Sequence, residues 1–199
     1  MNPFTIAKDA TRLMPLSQSV SRQAMHQRRV ECRGYLREDG LWDIEGHLMD
    51  TKPFDVPNLD RGGAVRAGDP LHEMWIRLTV DSDLVVRQVE AKTDFGPYSV
   101  CGDIADNFKV LVGVRIAPGW TLKTRALLGG VKGCTHLVEL LGPIATTAFQ
   151  TLYPVRAQRE RSADPGRRPA LLDSCHAYRS DGSLVKHRWP AFYTGRSGS

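Results

Sequence analysis

The sequence lacks the usual markers of several protein classes. No apolar run approaches the roughly 20 residues that cross a bilayer, and residues 1–14 lack the apolar centre of a signal peptide. The four cysteines are too few and too irregularly spaced for a disulfide framework in 199 residues. We therefore expect a cytoplasmic protein in which Cys and His side chains are free to act as metal ligands or nucleophiles.

Dense positive charge is also missing. The 27 basic and 22 acidic side chains give a net charge of +5, and only residues 22–29 and 156–168 concentrate basic groups. A nucleic-acid-binding surface usually carries a denser basic stripe with aromatic residues among it. The sequence also has no P-loop and no glycine fingerprint after a strand. We expect a small-molecule substrate, with no nucleic acid, membrane or nucleotide cofactor, and we leave a homodimer open.

Two β-hairpins are predicted in the first half of the sequence. Residues 30–37 and 41–50 flank an Asp-Gly turn, which is a strong hairpin signal between two strand-like runs. Residues 72–80 alternate between apolar and polar, and a turn at 81–83 leads into a partner strand at 84–93. Because side chains alternate between the two faces of a strand, His72 is expected to face the core with its apolar neighbours.

Helical spacing replaces the strand pattern after the second hairpin. Apolar residues recur at helical spacing from Cys101 to about residue 112, and a second helix is predicted after the glycine-rich residues 129–133, with Cys134 at its start. Residues 51–70 are predicted to be an exposed loop and residues 156–168 a linker. The predicted fold is α+β, with a small antiparallel sheet of hairpins and helices packed on one face.

Three segments follow from these patterns. Residues 1–28 are predicted to be an N-terminal arm and residues 29–153 an α+β core domain. Residues 154–199 are predicted to be a linker and a C-terminal extension packed on the core.

A candidate metal site comes from placement rather than from spacing. His72 faces the core, and Cys101 and Cys134 each begin a predicted helix, where the N-terminal N–H groups favour a thiolate. Thiolate and imidazole groups suit zinc and also iron. No CxxC spacing is present, and buried cysteines are commonly inert, so the pattern alone favours a structural role.

Three further residues are candidates for catalysis. His136 is either a fourth ligand or a helix-capping imidazole, and these interpretations weigh about equally. Asp50 ends a strand, where it lines the substrate side of the site or forms a turn. His176, which follows Cys175, either closes the site from the C-terminal segment or lies on the surface.

One remote resemblance supports the metal site. The sequence from residue 72 to about 148 resembles the iron–sulfur scaffold proteins of the NifU N-terminal and IscU type. Its matching segments are His72 before EMWIRLTVDSDLVVRQVEAKT, Cys101 in SVCGDIADNF and Cys134 in GCTHLVELLGPIATTA. This resemblance implies a NifU/IscU-like core in which the three side chains converge. His72 stands where that family has a cysteine, which favours a mononuclear His/Cys site over cluster transfer.

A second resemblance covers nearly the whole chain. The segments GLWDIEGHLMDTK, AGDPLHEMWIRLTVD, GCTHL and DSCHAYR are similar to signatures of an uncharacterised bacterial domain-of-unknown-function family. This resemblance suggests a connection with the breakdown of aromatic compounds.

Together these observations favour a metal-dependent enzyme of the lyase or hydrolase type. Its substrate is expected to be a small organic compound, aromatic if the family resemblance holds, and its metal zinc, with iron as the alternative. Two other functions stay open. One is a non-catalytic metal-binding or iron–sulfur-scaffold-like carrier module, and the other is a thiol enzyme that uses Cys134.

Overall fold

The computed structural model describes residues 16–163 and 166–195, and its centre is one antiparallel sheet. The strands are β1 (Gln27–Leu36), β2 (Trp42–Thr51), β3 (Val56–Asn58), β4 (Gly63–Val65), β5 (Pro70–Val80) and β6 (Val86–Phe95). Four of them form the sheet in the order β1-β2-β5-β6, and β3 pairs with β4 separately. The predicted α+β class is confirmed, whereas residues 1–15 of the predicted arm lie outside the described residues.

Both predicted hairpins are present. The first turns at Asp39-Gly40, where Gly40 has a φ of 81° and the Arg37 N–H donates to the Leu41 carbonyl oxygen at 2.9 Å. In the second hairpin the Asp81 carboxylate accepts backbone N–H bonds from within its own turn. The prediction of an exposed loop at residues 51–70 is wrong in part, because this region contains the paired strands β3 and β4.

The buried face of the sheet follows the predicted alternation. Ile44 and Leu48 in β2 and Met74 and Ile76 in β5 are all at most 1% exposed. They pack against α2 (Thr135–Ala163), whose leucines belong to the same core. Gly46 lets the helix approach closely, because a Cβ there would lie 2.7 Å from the Ile144 Cδ1 atom.

Helix α2 is longer than the sequence pattern predicts. The prediction of a linker at residues 156–168 is wrong for its first half, because α2 continues to Ala163. This segment of the sequence is rich in Arg, Gln, Glu and Ala, which have high helix propensity, and it lacks an apolar stripe. Among the helix residues up to Arg159, Leu152 is the last deeply buried one.

The helix predicted to begin at Cys101 is absent. Two 3₁₀ segments, Ser99–Gly102 and Ala105–Leu111, occupy this region instead. Their buried side chains, Phe108 and Leu111, are three residues apart, which matches the 3₁₀ period of three residues per turn.

Besides α2, the described residues contain two α-helices and several short 3₁₀ turns. Helix α1 (Trp120–Leu128) was not predicted, and the Trp120 indole N–H donates to the Leu141 carbonyl oxygen of α2 at 2.9 Å. A short α3 (Ser183–Arg188) lies in the C-terminal segment. Within the described residues, none of the helices combines the length and hydrophobicity needed to span a membrane.

Candidate metal centre

The centre of the candidate site is Asp50, near the end of β2. Its side chain shares the helix-covered face with Leu48 and is 1% exposed. The strand register places Arg28 of β1 opposite Asp50 on one side and His72 of β5 on the other. Three adjacent strands therefore present Arg28, Asp50 and His72 in one row beneath the start of α2.

Arg28 makes a bidentate ion pair with Asp50. Its Nε and Nη2 atoms donate to the two carboxylate oxygens at 2.8 and 2.7 Å. His26, just before β1, places its Nε2 atom 3.3 Å from Asp50 Oδ1. Burial alone raises the pKa of the Asp50 carboxyl, but the hydrogen bonds and positive charge of Arg28 outweigh it, so the pKa lies below its usual value. Asp50 is therefore an ionised carboxylate within the protein.

Two histidines meet above this carboxylate. His72 Nδ1 lies 3.1 Å from Asp50 Oδ2, and His136 Nε2 lies 3.9 Å from the same oxygen. The two imidazole rings are 3.9 Å apart between centroids and inclined by 30°. His136 reaches this position because it lies in the first turn of α2. One turn later, Glu139 forms an ion pair with Arg28.

Both imidazoles favour the neutral form. Burial lowers the pKa of His72, and the charge that His136 carries when it is protonated lowers this pKa further, against the opposing effect of Asp50. Burial also lowers the pKa of His136, with a further contribution from Arg28. A neutral imidazole keeps one nitrogen lone pair, which it needs to bind a metal or accept a proton.

These three side chains could together hold a metal ion. Asp50, His72 and His136 each offer one ligand atom, and these atoms all lie within 4.8 Å of one another. Two imidazoles and one carboxylate form a set of donors used for zinc and for non-haem iron, with positions left open for other ligands. Although Arg28 occupies both oxygens of Asp50, a carboxylate has about four lone-pair sites and can bind a metal as well.

The predicted ligand set of His72, Cys101 and Cys134 is not the one that the structure brings together. Cys134 is adjacent to the group, with its Sγ atom 3.9 Å from His136 Nδ1 and 3.7 Å from Met74 Sδ. Cys101 lies beside Gly96, where it lines a separate hollow.

Of the three residues predicted to be catalytic, two lie in the cluster and one does not. Asp50 and His136 belong to the cluster, whereas His176 is exposed in a 3₁₀ turn of the C-terminal segment. His47 lies on the opposite face of the sheet from Asp50, where it bonds to Glu73 at 3.0 Å. Strand alternation requires this separation, since His47 and Asp50 differ by an odd number of residues.

Sequence reasoning missed Arg28, His26 and Glu139. Arg28 could have been found from the first hairpin, because the Asp39-Gly40 turn sets the register that pairs it with Asp50. Glu139 lies three residues after His136, a spacing that places two side chains on one helix face. No sequence signal identified His26.

The region that carries the Asp50 cluster matches a family model. Residues 26–150 match a family model described as a protein of unknown function (DUF2889), and this region contains the whole Asp50 cluster. No curated protein and no solved structure matches the chain. The resemblance to iron–sulfur scaffolds therefore has no support from a solved structure.

Proposed function

Because this chain belongs to the DUF2889 family of proteins of unknown function, its activity must be argued from the site, and we propose a metal-dependent enzyme. Asp50, His72 and His136 hold one divalent ion and act on a small organic substrate. The observation that supports this proposal is that three ligand atoms from two strands and one helix lie within 4.8 Å of one another.

The protonation states of the cluster favour a metal. A metal ligand has to be deprotonated, and a site that already holds an ionised carboxylate and neutral imidazoles releases few protons on binding. The lowered pKa values of Asp50, His72 and His136 all act in this direction. Zinc fits the nitrogen and oxygen donors, and iron is the alternative.

The proposed reaction class is a lyase or a hydrolase. Three protein ligands would leave a position for water or a substrate oxygen, and a metal held by Asp50, His72 and His136 would supply Lewis acidity there. The neighbouring side chains would orient the Asp50 carboxylate: His26 Nε2 lies against it, and Arg28 joins it to Glu139. An aromatic substrate and a cytoplasmic location stay predictions, supported only by the sequence.

Metal content of the purified full-length protein tests the proposal. We expect about one equivalent of zinc or iron after expression in supplemented medium, and a large loss with Asp50→Asn or His136→Gln. Cys101→Ser is the matched control, since it removes a candidate ligand outside the cluster and should leave the metal content unchanged. The proposal is wrong if folded wild-type protein holds only a trace of metal, or if Cys101→Ser removes it while Asp50→Asn does not.

A thiol enzyme is the second candidate function, and one observation favours it. The Cys134 Sγ atom lies 3.9 Å from His136 Nδ1, and His136 Nε2 lies 3.9 Å from Asp50. Cysteine, histidine and carboxylate thus follow one another in the order of a nucleophile, its base and an orienting group. Activity that survives complete chelation but is lost in Cys134→Ser would support this function over the metal enzyme.

The non-catalytic carrier stays a prediction as well. An iron–sulfur cluster of the scaffold type needs His72, Cys101 and Cys134 around one site. The structure places Cys134 next to the Asp50, His72 and His136 group, but Cys101 lines a separate hollow. Anaerobic reconstitution with iron and sulfide tests this function. A cluster spectrum that is lost in Cys101→Ser would support the carrier and contradict the mononuclear centre.

A further inference from the structure

Within residues 16–163 and 166–195, the outer edge of β1 has no partner strand. Among the described residues, β1 pairs only with β2. The Arg37 N–H bonds to Leu41, and the register continues through β1 without a shift, so the odd-numbered residues exchange backbone bonds with β2. The even-numbered residues from Arg28 to Leu36 therefore direct their N–H and carbonyl groups away from the sheet.

Apolar side chains are exposed along the same edge. Val30 is 45% exposed and Leu36 is 63% exposed, although both point to the helix-covered face of the sheet. Tyr35 is 43% exposed on the opposite face. A long strand edge that combines free backbone groups with exposed apolar residues is a template for pairing with another strand.

The charges of β1 complement a second copy of the same strand. An antiparallel pair centred on Cys32 would place Glu31 opposite Arg33 of the partner subunit. The same register would place Arg29 opposite Tyr35 of the partner subunit, and no two like charges would face each other. Within the chain, Arg33 Nη2 lies 2.6 Å from Glu31, so the two side chains already extend over the same face.

We propose that the occupant of this edge is a second copy of the chain, which joins two four-stranded sheets into one through β1. The symmetry centre of the strand pair has to be a residue whose backbone groups point outward. Of these residues, Cys32 lies nearest the middle of β1, so a pair centred on it includes the largest part of the strand. The copy covers Val30 and Leu36, and each outward residue exchanges two backbone bonds with its partner. This dimer does not depend on the metal proposed above.

The molecular mass of the full-length protein in solution tests the dimer. One chain has a mass of 22.1 kDa, so sedimentation should give twice that value over a wide range of concentrations. Val30→Pro removes an outward N–H without removing a bond to β2, since proline is tolerated on a strand edge. We expect this variant to be a folded monomer.

Charge reversal tests the register. Glu31→Arg should weaken the dimer strongly, because each copy would then place an arginine opposite Arg33 of the partner subunit. Adding Arg33→Glu to this variant should restore the dimer. Glu90→Arg on β6 is the matched control, since it breaks the exposed pair with Arg77 of β5 but lies away from the β1 edge. A short bifunctional thiol reagent should also join the two copies through Cys32, and Cys32→Ser should abolish that product.

Three results would overturn the proposal. The first is that the wild-type protein is a monomer at all concentrations and that the backbone amides of Val30 and Gly34 exchange their hydrogens freely with solvent. The second is a monomer in which those amides are protected, which would show that the chain's own N-terminal residues cover the edge. The third is a dimer that neither Val30→Pro nor Glu31→Arg weakens, which would place the interface elsewhere.

Discussion

Replacing Arg28 with methionine tests the electrostatic balance at the centre of the site. This change leaves the Asp50 carboxylate, which is 1% exposed, without its two guanidinium hydrogen bonds. Breaking a fully buried pair costs about 3–5 kcal/mol, whereas a surface pair is worth about 0–1 kcal/mol. Since the Arg28 side chain is 35% exposed and His26 still faces the carboxylate, we expect a loss of about 2 kcal/mol in the free energy of unfolding.

Urea denaturation at pH 7 measures this loss. The double variant Arg28→Met with Asp50→Asn closes a mutant cycle and isolates the interaction between the two side chains. We expect the double variant to be more stable than Arg28→Met alone, because it removes the unpaired buried charge. If Arg28→Met costs less than about 0.5 kcal/mol, the ion pair is only a surface contact, and the argument for a strongly held carboxylate fails.

Two other predictions concern the histidines and the packing of α2. Because folding lowers the pKa values of His72 and His136, their neutral forms stabilise the fold above the unfolded pKa of about 6.5, and this contribution is lost as the pH falls below it. Unfolding curves between pH 8 and pH 5 should show the loss, and a His136→Gln variant with an equal slope would contradict it. Gly46→Ala should cost about 1–3 kcal/mol because its Cβ would meet Ile144, whereas Gly142→Ala has free space in α2 and should stabilise the protein by about 0.5–1 kcal/mol. Thermal unfolding of both variants measures these changes in stability. If the two substitutions change the stability equally, α2 does not pack closely on Gly46.

Strand alternation was enough to predict part of the site. It placed His72 on the core face, and the same alternation extended from Ile44 and Leu48 reaches Asp50. The turn at Asp39-Gly40 then determines that Arg28 faces Asp50. These positions follow from local rules of period and register, which act over a few residues.

The rest of the site depends on tertiary packing. The sequence does not show that β2 lies beside β5, and this pairing is what brings Asp50 to His72. Nor did helical spacing distinguish a 3₁₀ segment from an α-helix at Cys101, because short apolar patterns at three and four residues overlap. The place of His136 relative to His72 depends on where α2 begins and how closely it approaches the sheet.

The row of side chains across three strands also implies an order of assembly. Arg28 and Asp50 are 22 residues apart and meet within one hairpin, whereas Asp50 and His72, also 22 residues apart, meet only when the two hairpins pair. We expect His136 to join last, because α2 is distant in sequence from both hairpins. Contacts between distant parts of a chain form slowly, so we expect the complete cluster to form in late folding steps. Any ligand that binds all three side chains therefore ties two hairpins and a helix together, and stabilises the whole domain rather than one loop.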